Sequence, residues 1–155
     1  MVLPERAVTK SAKATQTVGE TVGHSLLTEG EGYAGKTARV ICLWGELGSG
    51  KTTFVQGIAK GMGITDRLLS PTFIIVRHYK VPGGSGLLHH LDLYRMTTPE
   101  DVHSVGLSDM LADPQSVVII EWPERLGDLL PRERIDFYFT TQTDDTHIIE
   151  GRNNE

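Results

Sequence analysis

Arg39-Val40-Ile41-Cys42-Leu43-Trp44-Gly45-Glu46-Leu47-Gly48-Ser49-Gly50-Lys51-Thr52 is the stretch that decides the fold. Its first half is a short apolar run without alternation, as in a parallel strand buried on both faces. Its last eight residues fit G-x-x-x-x-G-K-[ST] without exception. Strand, glycine-rich turn and lysine in that order make an anion cup. The glycines let the backbone curl until successive N–H groups converge on phosphate oxygens. A helix starting near Lys51 adds the positive end of its dipole. In such a loop the lysine reaches the β- and γ-phosphates of a nucleotide, and the hydroxyl of Thr52 ligates Mg²⁺. Leu47, Gly48, Ser49, Gly50, Lys51 and Thr52 are therefore the expected contacts for ATP, with Mg²⁺ as its companion.

The pattern stays helical from Lys51 to about Gly61, where Gly61 and Gly63 close it. On the N-terminal side, Thr15 to Leu27 places Val18, Val22, Leu26 and Leu27 at helical spacing, ended by Gly30 and Gly32. Phe73 to Tyr79 and Leu87 to Tyr94 read as two strands of a hairpin turned by Pro82-Gly83-Gly84. Pro99 to Gly106 suits a short helix with Thr97 or Thr98 as its cap. Val117 to Ile120 is a buried strand, and Ile135 to Phe139 and Ile148 to Ile149 are terminal strands. Helices alternating with buried strands, plus a hairpin, predict a three-layer α/β domain with the P-loop NTPase fold and a mixed, mostly parallel sheet. The expected organisation is a loose segment over 1–13, one domain over 14–150 and a tail over 151–155.

Size and charge restrict the function. The 155 residues, 39% of them hydrophobic, suit one domain with one core. Net charge is −5 and the pI about 5.7. A chain that grips nucleic acid by itself carries a basic face. Here the basic residues from Arg125 to Arg134 are interleaved with Glu124, Asp128 and Glu133 and read as a solvated helix and loop. Strong direct binding to nucleic acid is not expected. No apolar run approaches the roughly 18 residues of a membrane span, and Met1 to Lys13 lacks the apolar stretch of a secretory signal. Cys42, the single cysteine, builds neither an internal disulfide nor a cysteine-rich zinc site and is expected as an inert core thiol. A cytoplasmic protein without membrane contact is the expectation.

A P-loop site also needs a carboxylate for the metal or its waters and a group to orient the attacking water. Glu121 directly follows the strand Val117 to Ile120, at the carboxyl edge where open α/β sheets bind ligands. Asp92 lies in Leu87 to Tyr94, where alternation puts Leu88, His90, Asp92 and Tyr94 on one face. A polar trio on a strand needs partners if it is buried, and phosphates with Mg²⁺ would supply them. A half-exposed edge strand with a polar outer face is the plainer alternative. His89 and His90 point opposite ways along the strand, so they do not share a metal. Thr72, in Ser70-Pro71-Thr72-Phe73, stands where P-loop switches carry a γ-phosphate sensor, although Ser-Pro-Thr also begins ordinary strands. Arg95 is either a transition-state cation or a salt-bridged surface residue.

In this order the segments resemble one family, the TsaE family, the ATPase component of the bacterial machinery that makes threonylcarbamoyladenosine in tRNA. The resemblance runs from about Thr15 to Phe139. It rests on Gly48 to Thr53, on Ser70-Pro71-Thr72-Phe73, on His90-Leu91-Asp92-Leu93-Tyr94-Arg95 and on Glu121-Trp122-Pro123-Glu124-Arg125. It implies Lys51, Thr52 and Thr53 on phosphates and Mg²⁺, Glu121 as the metal-site carboxylate and Asp92 as essential for hydrolysis. It implies Thr72 as a switch, Trp122 near the nucleotide, and Ser11 to Thr15 near the adenine. The implied partners are a threonylcarbamoyl-transferase subunit and its paralogue. Glu46 stands where the family often has aspartate, and Asp144-Asp145-Thr146-His147 where it often has an arginine beside the nucleotide.

Three functions fit these motifs. One is a partner-dependent ATPase, slow alone because no arginine finger is evident. Another is a small-molecule kinase, whose arginine lid would draw on Arg125, Arg132 and Arg134. A third is a nucleotide-gated binding protein, in which the bound state matters rather than turnover. The motif set favours the first.

Overall fold

The computed structural model describes residues 4–30, 33–68, 75–84 and 86–154. Its seven strands are β1 (Ala7–Thr9), β2 (Arg39–Trp44), β3 (Val76–Lys80), β4 (Leu87–Asp92), β5 (Val117–Glu121), β6 (Arg134–Thr141) and β7 (His147–Asn154). They form one sheet in the order β1-β7-β6-β2-β5-β4-β3, with β2 in the middle. The central strands β6, β2, β5 and β4 run parallel. Both flanks are antiparallel: the β3–β4 hairpin on one side, β7 against β6 and β1 on the other.

Two helices, α1 (Ala12–Gly30) and α2 (Lys51–Gly61), cover one face. Their Val22, Leu26, Phe54, Val55 and Ile58 pack on Ile41, Leu43, Leu88, Ile119 and Phe137. The other face carries α3 (Leu107–Leu111) and two 3₁₀ segments, Pro99–Val105 and Pro123–Leu129. There Val102, Leu107, Met110 and Leu126 pack on Val40, Cys42, Leu91, Val118 and Ile120. The central strands are thus apolar on both sides, which is why their sequence shows no alternation. Pro99–Val105 begins at Thr98, where a capping box joins Thr98 to Asp101.

The two helices meet through glycines. A methyl group at Gly19 would fall 2.2 Å from the Phe54 carbonyl oxygen, and one at Gly23 2.0 Å from that of Ile58. Gly57 and Gly61 answer from α2, where the same addition would come 2.1 Å from the carbonyls of Gln16 and Glu20. Each helix therefore offers Gly-x-x-x-Gly to the other, and backbone rests on backbone. Leu27, expected on the buried stripe, is 37% exposed instead.

Three sequence expectations change. The first thirteen residues are not loose throughout: Ala7–Thr9 pair with β7, and α1 already begins at Ala12. Residues 151 to 154 are not a tail, because β7 continues to Asn154 along the whole of β6. Its polar end hid the strand, but Arg152 covers the ring of Tyr138 at 5.3 Å and Gly151 lies beneath Phe137. The edge-strand alternative for Leu87 to Asp92 fails, since β4 lies between β3 and β5 and is buried almost throughout. Thr72, the suggested switch, falls outside the described residues, as does Phe73 at the start of its expected strand.

The β3–β4 hairpin places His78 opposite His89. Their Nδ1 atoms are 2.7 Å apart, so one ring donates and the other accepts. His89 is only 5% exposed. Burial, helped by His78 and opposed by Asp113, holds its pKa below the ordinary imidazole value. The unfolded chain takes up this proton near pH 6.5, while the fold resists it. Stability that is present above that pH is therefore lost as pH falls below it. The melting temperature is expected to drop between pH 7 and pH 5, and to drop less in His89→Asn. Equal slopes in the two chains would remove His89 as the cause. Asp101, Asp113 and Asp144 are held below their ordinary values and so protonate at lower pH than this window.

Candidate functional site

β2 ends at Trp44, and the chain then curls into the glycine-rich turn. Gly48 (φ 75°) and Gly50 (φ 99°) adopt left-handed backbone that side chains disfavour. The space above Gly48 is open. Gly50 caps α2 with no side-chain bond. A cleft of about 390 Å³ opens over this turn, within the size range of small-ligand sites.

Ten of the sequence candidates line it: Thr15, Leu47, Gly48, Gly50, Lys51, Thr52, Thr53, Asp92, Glu121 and Trp122. Ser49 does not. Its side chain is 2% exposed and its hydroxyl has no partner among the described residues, so any contact it makes with a phosphate runs through its backbone. Within Ser11 to Thr15, Ala12 and Thr15 reach the cleft, while Ser11 accepts from the Ala14 N–H at the start of α1. Thr15 is buried and fixed by a 2.7 Å hydrogen bond between its hydroxyl and that of Thr9.

The carboxylates arrive together because β4 and β5 run parallel in the register Asp92 opposite Glu121. Both are buried, at 7% and 3% exposure. Asp92 accepts from the Tyr94 N–H at 3.0 Å. Glu121 Oε1 lies 3.5 Å from Thr52 Oγ1, at the limit of a hydrogen bond. Its other oxygen, Oε2, lies 2.6 Å from His90 Nε2.

Lys51 is the cation of the site. Its Nζ donates to the Gly45 carbonyl and lies 4.0 Å from the centre of the Trp122 ring. Burial lowers its pKa, while Glu121, Glu124, Asp92 and Glu46 pull the other way. Trp122 itself stands in left-handed backbone (φ 59°, ψ 50°), with Tyr94 at 5.0 Å and Arg125 at 5.9 Å from its ring. A tryptophan held in that conformation stores strain of the kind that gathers at ligand sites.

A hydroxyl and a carboxylate oxygen side by side are hard donors of the type Mg²⁺ takes. Among the described residues no three His, Cys, Asp or Glu side chains gather as a metal cage. Mg²⁺ typically keeps several waters and takes one or two carboxylates together with phosphate oxygens. The donor set fits Mg²⁺ held together with a nucleotide.

Sequence reasoning missed two residues. His147 lines the cleft from the start of β7, in the stretch that departs from the arginine of the resembled family. His90 was placed on the same face as Asp92, but its bond to Glu121 depends on a strand pairing that no local pattern reveals. Arg134, one of the lid candidates, is tied instead to Asp136 at 2.9 Å and to the Pro131 carbonyl. Cys42 is fully buried, and that burial raises its thiol pKa well above the ordinary value, so it is inert. Among the described residues no helix is long and apolar enough to cross a membrane.

The chain as a whole is similar to known proteins. The family model described as threonylcarbamoyl adenosine biosynthesis protein TsaE matches residues 9–149. The chain is 38% identical over 126 residues to the tRNA threonylcarbamoyladenosine biosynthesis protein TsaE of Treponema pallidum, covering 81% of this chain and 84% of that one. It is 38% identical over 114 residues to the Bacillus subtilis protein of the same name, covering 74% and 69%. The crystal structure of Bacillus subtilis YdiB superposes with a TM-score of 0.73 at 27% identity, covering 97% of this chain and 85% of that chain.

Proposed function

This chain belongs to the TsaE family of tRNA threonylcarbamoyladenosine biosynthesis proteins, and from that premise we propose that it binds Mg-ATP and hydrolyses it in the cytoplasm in support of a threonylcarbamoyl-transferase complex. The observation that carries this reading is the placement of Thr52 Oγ1 3.5 Å from Glu121 Oε1, at the mouth of the glycine turn. Thr52 and Glu121 would hold Mg²⁺ directly or through its waters. Once bound, the ion neutralises charge on the phosphate oxygens. Lys51 leaves the Gly45 carbonyl and the Trp122 ring to meet the β- and γ-phosphates. The amides of Gly48 to Thr53 hold the same phosphates in the field of α2. Asp92, beside Glu121, orients the attacking water. Thr15 and His147, on the other wall of the cleft, border the base.

Among the described residues no arginine stands in the cleft lining, and an arginine finger contributes about 10³- to 10⁵-fold. Slow hydrolysis by the chain alone follows, with stimulation by a partner. The test is phosphate release by the purified chain, by the transferase subunit with its paralogue, and by the mixture. Release in the mixture is expected to exceed the sum of the two, and Asp92→Ala is expected to bind nucleotide yet abolish the excess. A mixture no faster than its parts would defeat the proposal.

A further inference from the structure

His90 sits inside the sheet with no solvent exposure. Parallel pairing sets it opposite Ile119, so its ring shares the face that carries Glu121 two residues further along β5. An ionised carboxylate only accepts, so the hydrogen between His90 Nε2 and Glu121 Oε2, 2.6 Å apart, belongs to the ring. Nδ1 is buried and meets no partner among the described residues. A hydrogen placed there would be a buried donor left unsatisfied, which is costly. The hydrogen therefore stays on the side of Glu121.

His90 does not line the cleft, but it holds a group that does. With Oε2 tied, Glu121 is left with Oε1 turned to Thr52. Untied, the carboxylate is free to turn Oε1 away from Thr52.

We infer that His90 is a positioning residue: its Nε2–H fixes Glu121 in the rotamer that presents Oε1 beside Thr52, and so sets the Mg²⁺ affinity of the site while touching neither nucleotide nor ion. The inference rests on the Mg-ATP reading above. Outer hydrogen-bond partners of metal ligands typically contribute 10- to 100-fold in metal affinity.

The test uses the full chain and a fluorescent ATP analogue, first in EDTA and then titrated with Mg²⁺. His90→Leu removes the donor. His90→Asn keeps an amide but places it at the Nδ1 position. His90→Gln restores a donor near Nε2. In EDTA all chains are expected to bind the analogue within about threefold of one another, because the positioned oxygen matters only with the ion. The Mg²⁺ concentration that gives half of the tightening is expected to rise roughly 10- to 100-fold in His90→Leu and His90→Asn, and to return within about threefold in His90→Gln. A wild-type midpoint in His90→Asn overturns the inference even where the Leu chain fails to fold. Equal midpoint shifts in Asn and Gln overturn it too, since packing alone would then explain both. If the wild-type chain does not bind the analogue, the Mg-ATP reading falls first and the inference falls with it.

Discussion

Lys51→Ala is expected to weaken ATP binding by at least about 100-fold and to remove measurable phosphate release. In the proposed Mg-ATP complex the ammonium would make charge-assisted hydrogen bonds to two phosphates, and bonds of that kind contribute about 1.5–3 kcal/mol each. The sum, about 3–6 kcal/mol, corresponds to roughly 10²- to 10⁴-fold in affinity. The lower end applies here. On meeting the phosphates, Lys51 surrenders its bond to the Gly45 carbonyl and its contact with the Trp122 ring, and a cation over an aromatic ring contributes about 0.5–2 kcal/mol. The electrostatic surroundings act in the same direction as the substitution. Glu121, Glu124, Asp92 and Glu46 all act on this one amine, so without it a polyphosphate meets these carboxylates with the Lys51 charge no longer there to offset them. Titration calorimetry with a non-hydrolysable ATP analogue measures the effect, with circular dichroism to establish that the variant is folded. A dissociation constant within threefold of the wild-type chain would show that the cup does not receive phosphates.

Why the cup was legible and its surroundings were not comes down to distance along the chain. Gly45 to Thr52 is one local unit, so its residue types report its geometry directly. The strand before it was equally plain, because a central strand is apolar on both faces. Glu121 could be placed because it ends such a strand. The pairings that give these residues their partners are nonlocal. The register that sets Asp92 opposite Glu121, and thereby brings His90 to Oε2, joins segments about thirty residues apart. His147 reaches the cleft through the β6–β7 hairpin, whose second strand was read only at Ile148 and Ile149 because its last residues are polar. The glycines of α1 and α2 misled in a different way. A reading that follows large apolar side chains finds Val22 and Leu26, but it treats Gly19 and Gly23 as gaps in the stripe when they are its closest contacts. The repeated spacing of four, in Gly19 and Gly23 and again in Gly57 and Gly61, was the available signal.

That contact gives the second large effect. On an exposed helix, glycine to alanine stabilises by about 1 kcal/mol. Gly23→Ala is expected to do the reverse. Its new methyl would lie 2.0 Å from the Ile58 carbonyl oxygen, 2.8 Å from the carbonyl carbon and 3.0 Å from the Cα. All three are backbone atoms inside a helix, so no rotamer change relieves the clash and the helices must separate. Overpacking typically costs 1–3 kcal/mol, and separation also loosens the contacts at Gly19, Gly57 and Gly61. A net loss of about 3 kcal/mol, or a melting temperature lower by roughly 6–12 °C, is the expected result. Thr21→Ala, exposed on the same helix, is expected to gain a few tenths of a kcal/mol and serves as the control. The same movement reaches the site. Thr15, on α1, lies with its methyl 3.5 Å from where a side chain on Gly50 would begin, so α1 forms one wall of the cleft and α2 the other. Parting them widens the cleft between Thr15 and the glycine turn, and Gly23→Ala is expected to weaken nucleotide binding severalfold at temperatures where it remains folded. Unchanged melting and unchanged affinity together would mean that the two helices do not meet through these glycines.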